Sequence, residues 1–107
     1  VNCLKPQHHE LEKQVRRQIN QIFKLFNTEW CPISQNGHGN SKGFPDNIAY
    51  TQDGTHFVVE LKSITGKLTP AQKIWRDKLL ARKQHYFLFR GDKESLDQLI
   101  PFLESHM

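Results

Sequence analysis

Three charged residues stand where a β-strand should be apolar. Asp46 follows Pro45 at the head of "PDNIAYT", although Asp is disfavoured in strands. Fourteen residues later Glu60 ends the run "FVVE", and Lys62 follows two positions on. Alternation along a strand puts Glu60 and Lys62 on one face, with Val59 and Leu61 on the other. Whether Asp46 joins them depends on the intervening turn. A two-residue turn at Asp53-Gly54 would pair Asp46 with Leu61, on the wrong face. A three-residue loop, Gln52-Asp53-Gly54, pairs Thr51 with Thr55 and sets Asp46 opposite Glu60. Such loops end on a residue in the left-handed conformation, which Gly54 suits, so the longer loop is the expectation.

Two carboxylates opposed on neighbouring strands repel one another, and an apolar sheet has no use for that pair. A hard divalent cation does. Mg²⁺ takes one or two carboxylates, keeps several waters and leaves room for phosphate oxygens. The backbone carbonyl of Leu61 is a further candidate ligand. Lys62 could orient a water or balance charge as a phosphate becomes more negative. The competing reading is a solvated hairpin face on which Glu60 and Lys62 form an ordinary surface pair.

The elements that must position these residues can be read from spacing. Leu11, Val15, Ile19, Ile22 and Phe26 recur at helical intervals, predicting a helix over Glu10 to Phe26. Glu12 leans toward the edge of its apolar face, whereas Glu10 lines up with Gln14, Arg17 and Gln21. Taken by itself, Glu12 reads as a boundary residue whose carboxylate reaches water. "EWCPIS" predicts a short strand that Pro32 confines to an edge or a bulge, and "QNGHGNSKG" a polar loop. "NIAYT" and "THFVVELKS" form a hairpin around "DG". In "LTPAQ", Thr69 as N-cap, Pro70 in the first turn and Gln72 at the third position make a capping box. That helix is predicted to reach about Arg82 and to bury Ala71, Ile74, Trp75 and Leu79. "HYFLFR" reads as a buried strand joined to the hairpin by a right-handed parallel crossover. "SLDQLIPFL" reads as a last helical segment interrupted or kinked at Pro101.

The 107 residues fit one domain, with a core over about 10–104. A formal net charge of +4 favours a polyanionic partner such as nucleic acid. No apolar stretch approaches the ~18–20 residues needed to span a bilayer, and no signal-peptide pattern opens the chain at Val1. Two cysteines, Cys3 and Cys31, are too few for a disulfide scaffold, so the expected setting is a reducing cytoplasm.

The sequence "GFPD", then "VELK", then "GKLTPAQ" resembles the virus-type replication-repair nuclease (VRR-NUC) branch of the PD-(D/E)XK nuclease superfamily. The matching positions are Glu12 on the first helix, Gly43 to Asp46, Glu60 with Lys62, and Gly66 to Gln72. The pair PD and ExK alone arises easily by chance; its combination with "GKLTPAQ" and "FLFRGDKESLDQLI" is specific. Two positions depart from the pattern. Asn47 stands where an aliphatic residue usually follows the PD, and "ARKQHY" lacks a glycine before the last strand.

The resemblance implies a small restriction-endonuclease-like α/β fold, an αβββαβ core with a mixed sheet flanked by helices. It implies a Mg²⁺- or Mn²⁺-dependent DNA endonuclease with Glu12, Asp46, Glu60, Lys62 and Gln72 as catalytic residues. Metal would be held by Asp46, Glu60 and the Leu61 carbonyl, with Glu12 acting directly or through a water. Gln72 would brace the site or contact phosphate at a helix N-terminus. A homodimer cutting Holliday junctions or other branched DNA, in a bacterial or phage-infected cell, is the expectation by analogy. A nicking or homing-type nuclease and a non-catalytic DNA-binding module are the alternatives.

Lys42 and Lys67 flank the site in sequence and are candidates for phosphate contact. Arg90, at the end of the last strand, is a candidate to contact DNA or cap a helix, the family pattern favouring DNA. Lys13, Arg16, Arg17, Lys24, Lys73, Arg76, Lys78 and Arg82 are equally readable as DNA-facing or as solvated helix surface. Trp30 and Trp75 read as packing anchors. Cys3, His8, His9, Cys31 and His38 lack zinc-site spacing and read as solvated.

Overall fold

The structure is a computed structural model that describes residues 8–33 and 42–107, with side chains from residue 12 onward. The first predicted helix is α1 (His8–Leu25), which begins two residues earlier than its apolar spacing. Val15, Ile19 and Ile22 are buried as spaced, and Phe23, which falls outside that spacing, is buried with them. Lys13, Gln14, Arg16, Arg17, Gln21 and Lys24 face solvent. The side chains of His8, His9 and Leu11 lie outside the described residues, as do Cys3, His38 and most of the polar loop.

Four strands form one sheet in the order β1 (Glu29–Pro32), β2 (Asn47–Tyr50), β3 (His56–Leu61), β4 (Tyr86–Phe89). The first two pairings are antiparallel and the third is parallel, so the sheet is mixed. Helices α2 (Pro70–Ala81) and α3 (Lys93–Ser105) complete the chain, giving the expected αβββαβ core with one helix appended. β1 is an edge strand, where the missing N–H of Pro32 removes nothing from the sheet interior.

The β2–β3 turn fixes the register. Thr51 N donates to Thr55 O at 2.8 Å, and Gly54 N returns to Thr51 O at 3.0 Å. Gly54 has φ +90, the left-handed conformation expected of it. Asp53 locks the loop: its Oδ1 accepts from Thr51 Oγ1 at 2.6 Å and from Thr55 N at 3.0 Å. These bonds hold the Asp53 carboxyl well below the usual carboxylate range, the Thr51 hydroxyl first, then His106 and Thr55. His106 lies 2.9 Å from Asp53 Oδ2, tying the end of α3 to the hairpin. The resulting pairs are Asn47 with Val59, Ile48 with Val58, Ala49 with Phe57 and Tyr50 with His56. Extended by one residue, this three-residue-loop register sets Asp46 opposite Glu60.

Alternation then sorts the sheet into two faces. Ala49, Phe57, Val59, Leu61 and Phe89 face the core with residues of α1 and α3. Phe57 is its centre, with ring contacts to Phe23, Phe87 and Phe102 at 5.8, 5.6 and 5.3 Å. Trp30 packs on Phe23 at the edge. The other face carries Ile48, Val58, Glu60, Tyr86 and Leu88, and α2 lies over part of it. Contrary to the buried reading of "HYFLFR", β4 is an edge strand: only Phe89 is fully buried, the other three being partly exposed.

The capping box of α2 forms as read, with Gln72 N donating to Thr69 Oγ1 and Thr69 N to Gln72 Oε1. Its expected burial does not follow. No residue of α2 is fully buried, Ile74 is 55% exposed, and Ala71, Trp75 and Leu79 are only partly covered. The helix covers an edge strand rather than lying between layers. α3 is capped by Asp92, whose side chain accepts from Ser95 N, and it runs uninterrupted through Pro101. Leu99 and Leu103, buried on either side of the proline, hold the helix to the sheet despite the lost backbone bond.

"GFPD" joins α2 to the sheet. Gly43 has φ +88, and a Cβ there would lie 2.5 Å from the Ala71 carbonyl carbon. Phe44 packs edge-on against Trp75, with centroids 5.0 Å apart. Gly43→Ala combines a disfavoured backbone conformation with a clash against backbone that cannot swing aside. It should cost about 2 kcal/mol or more in chemical denaturation. An unchanged denaturation midpoint would show that α2 does not rest on Gly43.

Candidate active site

Asp46 is held from two sides. Its backbone carbonyl accepts from Ile33 N at 2.7 Å, and its Oδ2 accepts from Leu61 N at 3.1 Å. Because Thr51 and Thr55 form a hydrogen-bonded pair, Asp46 and Glu60 fall at a non-hydrogen-bonded position, where opposed side chains come closest. The two carboxyl groups are in hydrogen-bonding contact. Glu60 is 1% exposed. Burial first, then the bond to Asp46 and its charge, push the Glu60 carboxyl up to about 9; Lys62 opposes this and Glu12 adds to it. At neutral pH, without a cation, the pair therefore shares a proton instead of carrying two charges.

The next rung explains the proline. Continuing the register places Pro45 across from Leu61. Leu61 N is taken by the Asp46 carboxylate, so its carbonyl, on the same side of the strand, faces a residue with no N–H to give. Lys62 N meanwhile donates to Phe89 O on β4 at 3.1 Å. An oxygen left over by the ladder thus lies beside two carboxylates. This all-oxygen donor set suits a hard divalent cation.

The remaining candidates are brought together unequally. Glu12 is half-buried near the start of α1, close enough for its charge to raise the Glu60 pKa. Lys62 is half-buried, on the Glu60 side of the strand, whereas Lys42 and Lys67 are exposed. Gln72 spends its side-chain oxygen on the capping box. Arg90 is committed to backbone, since its Nη1 donates to Ser63 O at 2.6 Å and also to Gly66 O. It braces the link from β3 to α2. Of the basic helix residues, Arg76 is partly buried and paired with Asp77 at 3.0 Å, while Lys78 sits over the Trp75 ring.

Two buried groups were missed by sequence reasoning. Tyr86 shares the Glu60 face, and its hydroxyl is buried without a hydrogen-bond partner among the described residues. Burial first, then the charge of Glu60, raise its pKa to about 12, Arg76 and Arg90 opposing and Asp46 adding. Alternation along β4 from Leu88, the partner of Glu60, could have found it. Asn47, the departure from the aliphatic pattern, points into the core face at 1% exposure with its Oδ1 unpartnered.

The fold has a counterpart. A solved structure described as a VRR_NUC domain superposes with a TM-score of 0.70, covering 85% of this chain and 95% of that one at 23% identity. The fold is that of a VRR_NUC domain. No family model and no curated protein matches the sequence. In this chain "PD" leads into β2 and "ExK" ends β3, the strand paired with it.

Glu60 gives the protein a pH signature. Its pKa is raised from 4.5 unfolded to about 9 folded, so the folded chain holds the extra proton between these values. The stabilisation is full below pH 4.5 and is lost as pH rises toward 9. Metal-free protein should lose stability across that window, and Glu60→Gln should flatten the slope. Equal slopes in denaturant titrations would contradict the shared proton. Tyr86→Phe removes an unpaired buried hydroxyl and should raise stability by about 1 kcal/mol; a loss would reveal a partner for it.

Proposed function

We infer that the protein is a metal-dependent DNA endonuclease. The observation that supports this reading best is the opposed pair Asp46 and Glu60, next to a Leu61 carbonyl that the ladder leaves free. A buried carboxyl pair with one shared proton is unfavourable ballast in an inert hairpin and useful around a cation. Bound there, Mg²⁺ or Mn²⁺ would polarise a phosphate oxygen and lower the pKa of an attacking water.

The chain's own residues supply the rest. Asp46, fixed by Ile33 N and Leu61 N, presents its second oxygen in a set direction. Glu60 would hold such a cation as a carboxylate, its proton going to solvent. Lys62 positions the water or stabilises charge on the phosphate, and Glu12 adds a carboxylate directly or through water. Gln72 keeps its amide nitrogen for the site or a phosphate, and Lys42 and Lys67 hold the flanking backbone. Arg90 acts on DNA indirectly, by holding the turn that follows Lys62.

Branched DNA, cut by a homodimer that places two sites on one junction, is the proposed substrate. The test is cleavage of four-way junction, flap and linear duplex DNA with Mg²⁺, Mn²⁺ or EDTA, alongside mass in solution. Junction cleavage should require metal, vanish in Asp46→Ala, and fall on the order of 10²–10³-fold in Lys62→Ala. Cleavage in EDTA would overturn the metal reading, and equal rates on duplex would overturn structure specificity. Binding without cleavage in Mn²⁺ would favour a non-catalytic DNA-binding module.

A further inference from the structure

The turn after β3 displays an apolar side chain and holds it there. Gly66 N donates to Ser63 O at 3.2 Å and to Ser63 Oγ at 3.0 Å, closing a turn with Ile64 and Thr65 at its tip. Arg90 braces it from below through the Ser63 and Gly66 carbonyls, and Ser63 is wholly buried. Ile64 is nevertheless 69% exposed. Leaving it bare forgoes the burial of a large aliphatic side chain, in a turn that is otherwise firmly built.

Ile64 forms one wall of a cavity of about 260 Å³ between this turn and α1. Gln14, Val15, Gln18, Arg90 and Gly91 complete it. Gly91 has φ +77, the left-handed conformation that suits glycine, and the Gln18 carboxamide lies against it. Two segments lining the cavity also carry proposed catalytic residues. Glu12 lies three residues before Val15 on α1, ~4.5 Å along the helix axis, and Lys62 lies two residues before Ile64.

Two aliphatic groups, two carboxamides and a guanidinium make an unusual lining. It matches a nucleobase, which has apolar faces and a hydrogen-bonding edge. We propose that this cavity receives one nucleobase unstacked beside the scissile phosphate, with Ile64 as the wedge that parts it from its neighbour. Apolar wedges of this kind separate base steps in other DNA-binding proteins. The inference rests on the nuclease reading and deepens it. Unstacking is easiest where a base is unpaired or already at a branch, so the preferred substrate is DNA with a weakened base pair at the cut.

The experiment places 2-aminopurine on either side of the mapped cleavage point of a four-way junction, with Ca²⁺ in place of Mg²⁺ to hold the complex. Wild-type protein should raise the fluorescence at one of the two positions. Ile64→Ala should reduce that rise about threefold or more, Gln14→Ala should reduce it less, and Ile64→Leu should retain it. Both altered positions are exposed, so folding should survive, and unchanged Mn²⁺ affinity would show the metal site intact. No rise with wild type, or an equal rise with Ile64→Ala, overturns the proposal even if cleavage is normal. Failure of wild type to cut any DNA in Mn²⁺ overturns the nuclease reading; 2-aminopurine is then placed at the branch point of the junction, where a rise lost in Ile64→Ala would still support the base cavity.

Discussion

The contact between Asp46 and Glu60 depends on a turn far from it along the hairpin. Gln52-Asp53-Gly54 closes with three residues instead of two, and that single residue decides which face every β2 side chain takes. Asp53 enforces the choice through Thr51 and Thr55, and His106 ties the turn to the end of the chain. Shifted by one position, Asp46 would face the core and Asn47 would take its place. A polar loop with no catalytic residue thus sets the geometry of the acidic pair.

The same pair explains its surroundings. Pro45 ends the ladder and has no N–H to offer the Leu61 carbonyl. Gly43 and Phe44 dock α2 onto the strand that begins with Asp46. Arg90 fixes the link that leads from Lys62 to the capping box. These contacts join the start of α2 and the link after β3 to the strand ends that carry Asp46 and Glu60.

Much of this was legible in the sequence because it rests on local rules. Side-chain alternation, the left-handed glycine, the capping box and the proline at an edge each have a short-range physical cause. What could not be read depends on layer order. The helical spacing of Ile74 and Trp75 says that one side of α2 is apolar, but not that it covers an edge strand and leaves Ile74 in water. "HYFLFR" is as apolar as a central strand, yet among the described residues no strand pairs with its outer edge. Phe23 lies one position off the counted stripe, and a broader apolar face would have included it. Pro101 marks a helix break in isolation, whereas here buried leucines on both sides carry the helix through. The hold of Arg90 on the Ser63 and Gly66 carbonyls was not legible because those partners are distant in sequence.

Asp46 and Glu60 share a proton, which a divalent cation would replace if the proposed function holds. Calorimetric titration of Mn²⁺ into metal-free protein at pH 7, in buffers of different ionisation heat, measures that exchange directly. Wild type should release about one proton per bound ion, and Asp46→Asn should bind far more weakly. Mn²⁺ binding with no proton release, or binding undiminished in Asp46→Asn, would contradict the account.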